Sequence, residues 1–566
     1  MLDYRFVVAM NILCILSVVF FERKKPAEVI SWVLVVTFLP GLGFILYLLI
    51  GETASLRMAS RFRRKRRFDY SRHRALQVVA ADGAASCACA VAAIGDGSGG
   101  GEDSAGSEDS AGSEASAGPE APTGAEAPVG SEAPTSAEAP AGAVAPVGSE
   151  APVGSGDPSG EIAGLMVALG QGSVHTLDMS VARHLDMIRM YEAPGDSVLT
   201  SDNSIEVFTR ATDKFKALYD DIEAAKKSVH MLYFAFHADK IGTRFIELLS
   251  RKAREGVEVR IIYDLVGNVN TRFWRFDEIT RAGGQVRRFF SILSIIKLNY
   301  RNHRKIAVID GQVGYTGGIN ISKSYIGGHK RIKPWRDTHI RVVGSAVNAL
   351  QERFLLDWMH VSDEQFDFGD ARVVDEYFPC PQRSGGVSMQ IVSSGPDVEG
   401  ERIKCGYIKM INDAKIRVFM QSPYFIPDDA FMLALKLAVD SGVDVRIILP
   451  SVPDKPRVFI VTKSYARELL KLGVKVYLYK GFIHSKMFVA DGDVVSIGTT
   501  NIDIRSFLLD FEINAFVYDT AFAERCERIF YDDLENSDEV SLDAIERRGI
   551  STRMAEAVLR IFSPLL

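Results

Sequence analysis

The sequence predicts an α/β fold made twice: two tandem α/β units with mixed sheets and a shared central active site, preceded by an N-terminal two-helix transmembrane hairpin and a disordered linker. Three observations predict it. Two apolar runs stand close together near the N-terminus. A long stretch without a single Lys or Arg follows. The remainder alternates helical and strand patterns and repeats itself.

The chain has 566 residues, enough for more than one core. Hydrophobic residues make up 47% and charged residues 24%, which excludes a fully disordered chain and disfavours a polytopic transporter. The formal charge of −6 hides an asymmetry. Residues 75–182 carry 15 Asp and Glu and no Lys or Arg; outside them, 66 basic residues face 57 acidic ones. The remainder is basic and suits an anionic substrate. Cys14, Cys87, Cys89, Cys380, Cys405 and Cys526 are scattered, with no paired C-x-x-C units, so neither a zinc knuckle nor a disulfide framework is expected.

The hairpin comes first. Residues 6–21 are almost wholly apolar, and 29–50 form a second run interrupted by Ser31, Thr37, Pro40 and glycines. A span needs about 20 apolar residues, or about 17 at the short end. No small-residue cleavage site follows the first run, which argues against a removed signal peptide. Arg57, Arg61, Arg63, Arg64, Lys65, Arg66, Arg67, Arg72 and Arg74 then follow the second run, against Arg23, Lys24 and Lys25 between the runs. The positive-inside rule keeps the C-terminal bulk in the cytoplasm of a cell-membrane protein. The basic block suits anionic headgroups, at about 1 kcal/mol per charge near the surface.

Next is the tether. Around 95–160 the chain is Ala, Gly, Pro, Ser and Glu in loose repeats such as Ser131-Glu132-Ala133-Pro134. It has too little apolar bulk to offset the entropy of ordering. The chain is thus divided into 1–74 (hairpin and basic segment), 75–182 (acidic linker), 183–380 (first α/β unit) and 381–566 (second α/β unit).

The two units repeat. Gly256-Val257-Glu258-Val259-Arg260-Ile261-Ile262 returns as Gly442-Val443-Asp444-Val445-Arg446-Ile447-Ile448, each after an amphipathic pattern, at 244–254 and 430–441. Helix, glycine, then a β-branched run is an α-to-β step. A second repeat carries the chemistry. His303, Lys305, Asp310 and Asn320 recur as His484, Lys486, Asp491 and Asn501, all at an offset of 181 positions. A lone histidine on a strand is usually structural, but two in register, each with the same Lys, Asp, Gly and Asn, point to a site.

Parity suggests how the motif is arranged. The apolar run 305–310 should be a buried strand, with His303 and Lys305 on one face and Asp310 on the other. His303, Lys305, His484 and Lys486 are then the reacting candidates, and Asp310 and Asp491 the structural or orienting members of the same catalytic motif. Asn320 and Asn501 follow glycine turns and carry donor amides, and Thr499 adds a hydroxyl. This set fits phosphodiester chemistry. A neutral imidazole attacks phosphorus, a protonated one serves the leaving alkoxide, and lysines and amides neutralise the non-bridging oxygens. No carboxylate cluster with metal-ligand spacing accompanies them, so neither metal nor cofactor is expected.

The doubled H-x-K-x4-D resembles the signature of the phospholipase D superfamily, and more closely its bacterial cardiolipin synthases. The resemblance covers the hairpin with Pro40-Gly41-Leu42-Gly43 and nearly all of 187–566. Its specific stretches are Arg301-Asn302-His303-Arg304-Lys305, Tyr315-Thr316-Gly317-Gly318-Ile319-Asn320, Trp335-Arg336-Asp337-Thr338-His339, Pro423-Tyr424-Phe425 and 498–507. It implies transfer of a phosphatidyl group between two phosphatidylglycerols, with release of glycerol, through a phosphatidyl-histidine on His303 with His484 as acid and base. It also implies that Glu512 and Asp337 orient the histidines, and that the partners are phosphatidylglycerol and anionic membrane lipid rather than nucleic acid. A hydrolytic phospholipase D and a nuclease remain as alternatives with the same residues. The sequence departs from the family pattern at Asp510, where Asn is usual, and in its long tether. Gly318 stands where Thr499 supplies a hydroxyl in the other half, as is common in this family's first half.

Overall fold

The computed structural model describes residues 178–561 apart from 194–196, 270, 291–299, 328–331, 333, 383 and 548, together with residues 12, 33 and 35–38. The expected hairpin, basic block and tether otherwise lie outside the described residues. Among the described residues no helix is long and apolar enough to cross a membrane.

The predicted α-to-β steps form with the same local devices in both halves. Asp239 caps the helix Lys240–Arg254 by accepting from the N–H groups of Ile241 and Gly242, and Asp428 caps Asp429–Asp440 by accepting from that of Phe431. Gly256 and Gly442 end these helices at φ of 90° and 87°, a conformation that a side chain disfavours, which explains the repeated glycine. The first helix has 15 residues and the second 12.

The strands of the first half are β1 (Thr200–Phe208), β2 (Ser228–Tyr233), β3 (Glu258–Tyr263), β4 (Gln285–Arg288), β5 (Arg301–Asn302), β6 (Lys305–Ile309), β7 (Val313–Gly317), β8 (Trp335–Arg336) and β9 (His339–Val343). Those of the second half are β10 (Val387–Ser394), β11 (Arg417–Gln421), β12 (Phe425–Ile426), β13 (Asp444–Pro450), β14 (Lys475–Tyr479), β15 (Phe482–Ile483), β16 (Met487–Ala490), β17 (Val494–Gly498), β18 (Ile502–Asp503), β19 (Asp510–Tyr518) and β20 (Ser537–Glu539). In the main sheet the first half runs β1-β9-β7-β6-β2-β3-β4 and the second runs β10-β19-β17-β16-β11-β13-β14-β20. The two join where β1 pairs antiparallel with β10, with Thr200 opposite Met389. Within each half the helix-linked strands (β2-β3-β4 and β11-β13-β14) are parallel and the remaining neighbours in this sheet antiparallel, the mixed sheet that the repeat predicts.

Buried side chains fill both faces of the sheet. One layer is continuous across the halves and includes Phe354 and Trp358 from the helix Ala346–Val361 and Phe530 from the helix Thr520–Glu535. On the other face each half has its own core, around Phe245 and Leu249 in the first and Tyr407 and Leu435 in the second. Residues 178–192 pack on the second half although they begin the first in sequence. His184 meets Asp493 at 2.9 Å, and Tyr191 lies 5.1 Å from the Phe516 ring.

Candidate active site

Neither motif histidine is held by its own half alone. Strand β5 pairs in parallel with the start of β19, Arg301 opposite Asp510 and Asn302 opposite Phe511, and the His303 N–H donates to the Phe511 carbonyl at 2.9 Å. The second half mirrors this. Strand β15 pairs with β8, Phe482 opposite Trp335 and Ile483 opposite Arg336, and the His484 N–H donates to the Arg336 carbonyl at 2.6 Å. Each histidine therefore extends a ladder begun by the other unit.

The side chains cross in the same way. His303 Nδ1 lies 2.9 Å from Glu512 Oε1, and His484 Nδ1 lies 2.7 Å from Asp337 Oδ2. With Nδ1 on a carboxylate, each ring turns its Nε2 away from that acid, and on His484 that nitrogen lies 3.1 Å from Lys486 Nζ. Thr499 donates its hydroxyl to Glu512, so it orients the acid that orients His303. Gly318, its positional equivalent, leaves room for Asp337: a Cβ there would stand 1.9 Å from Asp337 Oδ1.

The lysines lie under the histidines. Lys305 Nζ donates to the His303 carbonyl and Lys486 Nζ to the His484 carbonyl, both at 2.6 Å. Burial pushes Lys305 down to about 7 and Lys486 down to about 8. Burial, then the charges of Lys305, Lys486 and His484, hold His303 well below the usual histidine range. Burial and Lys486 push His484 down to about 4, against the pull of Asp337. Burial raises the Glu512 carboxyl well above its ordinary value. A phosphodiester anion bound beside them would favour the protonated form of these bases.

Asn320 and Asn501 sit at equivalent places. Asn320 accepts the Ala235 N–H on Oδ1 and donates from Nδ2 to the Tyr325 hydroxyl at 2.7 Å. Asn501 donates to the Ser506 hydroxyl at 3.3 Å. Each amide nitrogen has a second hydrogen with which to bind an anion.

Asp310 and Asp491 lie apart from this pocket. Each turns the chain just after its strand, at φ of 53° and 51°. Asp310 accepts the backbone N–H groups of Lys226, Lys227 and Ser228, and Asp491 those of Lys415, Ile416 and Arg417. They tie neighbouring strands together. The strand stops at Ile309, so the turn, rather than simple alternation, directs Asp310 away.

Three features have no clear sign in the sequence. Arg304 is fully buried between Asp357 and Asp397, at 2.9 and 3.1 Å, and also donates to the Glu512 carbonyl. Those aspartates are 53 and 93 positions away, too far for any local pattern. Thr338 and Ser485 hydrogen-bond across the halves at 2.7 Å. Finally, the two histidines have unlike surroundings. His484 faces Phe482, Trp335 and Tyr325 at ring distances of 5.7, 5.8 and 6.0 Å. The corresponding places beside His303 are Arg301, Asp510 and Ser506, and Asp510, raised to about 6 by burial, sits 3.3 Å from Arg505. The Tyr325 and Ser506 pair was findable: each lies five positions past its motif Asn.

A family model described as cardiolipin synthase, PLD-like domain, matches residues 218–331 and 407–534, and one described as phospholipase D-nuclease N-terminal matches 9–52. A cardiolipin synthase of Listeria monocytogenes serotype 4b (strain CLIP80459) is 46% identical over 393 residues, covering 69% of this chain and 81% of that protein. The major cardiolipin synthase of Bacillus subtilis (strain 168) is 44% identical over 385 residues, covering 67% and 79%. These matches mark the chain as a membrane-associated protein. With motif, fold and relatives in agreement, the chain belongs to the cardiolipin synthases of the phospholipase D superfamily.

Proposed function

We infer that the chain transfers a phosphatidyl group from one phosphatidylglycerol to another, giving cardiolipin and glycerol, and that it does so through a phosphohistidine. The observation that carries the mechanism is the crossed pair of imidazole–carboxylate contacts in one buried pocket. His303, neutral and steered by Glu512, attacks phosphorus through Nε2. The bond from phosphorus to the glycerol oxygen breaks, and His484 supplies its proton. The shorter 2.7 Å contact to Asp337 supports the imidazolium on His484. A second phosphatidylglycerol then loses a hydroxyl proton to His484, its oxygen bonds to phosphorus, and the phosphorus–nitrogen bond breaks.

Lys305, Lys486, Asn320 and Asn501 bind the non-bridging oxygens, where preorganised donors are worth roughly 2.7–4 kcal/mol each by analogy with an oxyanion donor. Asp310, Asp491 and Thr499 keep the frame in shape. Residues 183–380 and 381–566 act as the two units of one site, and 75–182 as a passive linker. The apolar runs 6–21 and 29–50 serve as a two-span anchor with the catalytic part on the cytoplasmic side, in keeping with the basic block 57–74.

The full chain in detergent is expected to convert phosphatidylglycerol into cardiolipin, read by mass spectrometry, and His303→Ala or His484→Ala to abolish it. Phosphatidic acid as the sole product would make the protein a hydrolase. Cleavage of nucleic acid without lipid turnover would make it a nuclease.

A further inference from the structure

The first half holds a cleft of about 350 Å³ for which the chemistry above has no use, lined in part by His237, Thr271, Arg272, Arg275, Ser322 and Lys323. That volume is at the small end for ligand sites and suits a polar headgroup better than an acyl chain. Its charge is one-sided. Asp239, the carboxylate of the lining, is spent: Oδ1 accepts from the N–H groups of Ile241 and Gly242, and Oδ2 from the Ser322 hydroxyl and the Lys323 N–H. His237 is engaged as well, Nε2 with the Gly267 carbonyl at 2.9 Å and Nδ1 with Ser322 Oγ at 3.3 Å. Among the described residues no carboxylate pairs with Arg272, Arg275 or Lys323, which leaves three cations facing one small space.

Its place relative to the reaction matters. Lys323 opens the short turn Lys323–Ile326, which carries Tyr325. Tyr325 takes the hydrogen bond from Asn320 and stands edge-on to the His484 ring at 6.0 Å. This turn thus links a wall of the cleft to the His484 side of the pocket, where the incoming hydroxyl must lose its proton. Within two or three positions of its lining residues in the chain, Val269, Trp274 and Ile326 are exposed apolar side chains, as suits the boundary between headgroups and acyl chains.

We propose that this cleft holds the phosphodiester anion of the acceptor lipid. The proposal rests on the phosphatidyl-transfer reading and adds the acceptor's subsite to it. In phosphatidylglycerol the attacking hydroxyl and the lipid's own phosphate sit at opposite ends of a three-carbon headgroup. With that hydroxyl at His484, the basic cleft linked to it by the turn Lys323–Ile326 is where the anion falls. The step is unchanged: oxygen bonds to phosphorus, its proton goes to His484, and the bond from phosphorus to His303 breaks.

The test compares two acceptors on the full chain in mixed micelles with labelled phosphatidylglycerol as donor. One acceptor is phosphatidylglycerol; the other is free glycerol, which has no charge and returns phosphatidylglycerol by headgroup exchange. In the triple variant R272Q/R275Q/K323Q the KM for acceptor phosphatidylglycerol is expected to rise at least about 10-fold, the loss of one charge-assisted hydrogen bond. Glycerol exchange should stay within twofold, which also reports an intact fold, and K323Q alone should give a smaller rise of the same kind. Equal losses with both acceptors, or none with either, overturn the proposal. A wild type that neither exchanges glycerol nor makes cardiolipin sinks the transfer reading along with it, whereas normal wild-type rates confine the failure to the cleft.

Discussion

Replacing Gly318 by Ala tests whether Asp337 governs His484. The added Cβ would stand 1.9 Å from Asp337 Oδ1, whereas real Cβ contacts essentially never fall under 3.0 Å, so the carboxylate must retreat by at least about 1.1 Å. Its 2.7 Å contact with His484 Nδ1 would then open beyond hydrogen-bond range. Gly318 has no left-handed φ, so Ala brings no backbone strain, and the clashing atoms belong to a side chain that can turn. The damage should therefore fall on activity more than on stability. A hydrogen bond to a charged group is worth about 1.5–3 kcal/mol, or roughly 10- to 150-fold in kcat. Cardiolipin formation in mixed micelles measures kcat, and a thermal melt checks the fold. The decisive control is the double variant Gly318→Ala/Asp337→Ala, which should be no slower than Asp337→Ala alone, since the clash is gone. A folded Gly318→Ala enzyme with kcat within twofold of wild type would refute the argument, as would fully additive losses in the double variant.

The pH profile gives a second check. Lys305 and Lys486, pushed down to about 7 and 8 by burial, lose their charge as pH rises through that range, and with it their hold on an anionic phosphate. Because kcat/KM reports the free enzyme, it should fall between pH 7 and 9, and Lys305→Arg should move that limb upward if the variant still turns over; a flat or rising profile would contradict the assignment. Arg304→Ala should destabilise the protein by about 3–5 kcal/mol, since it leaves Asp357 and Asp397 in the core short of a partner. Denaturant unfolding measures this, and a loss under about 1 kcal/mol would show that Arg353, which also contacts both aspartates, suffices.

Much of the fold was legible in the chain. The α-to-β steps at Gly256 and Gly442 were visible because a helix, a left-handed glycine and a β-branched strand are local events with fixed periods. The strand at Lys305–Ile309 was visible for the same reason. So was the candidate site: a motif copied at a constant offset of 181 names its members without any contact being known. Alternation along one strand correctly separated Asp310 from His303 and Lys305, although a turn at φ of 53° is what sends it away.

Other relations depend on contacts between chain segments that local patterns do not record. That Glu512 serves His303 and Asp337 serves His484 follows from β5 lying on β19 and β15 on β8, pairings that cross the two halves. Trp335 and Tyr325 beside His484, and Asp510 and Ser506 at the corresponding places beside His303, come from the opposite unit, so a near-perfect repeat yields unlike half-sites. Arg304 gains its role only when residues 53 and 93 positions downstream close around it. Duplication marked the candidate residues in the sequence; the strand pairings between the halves, which local patterns do not record, decided which carboxylate meets which histidine.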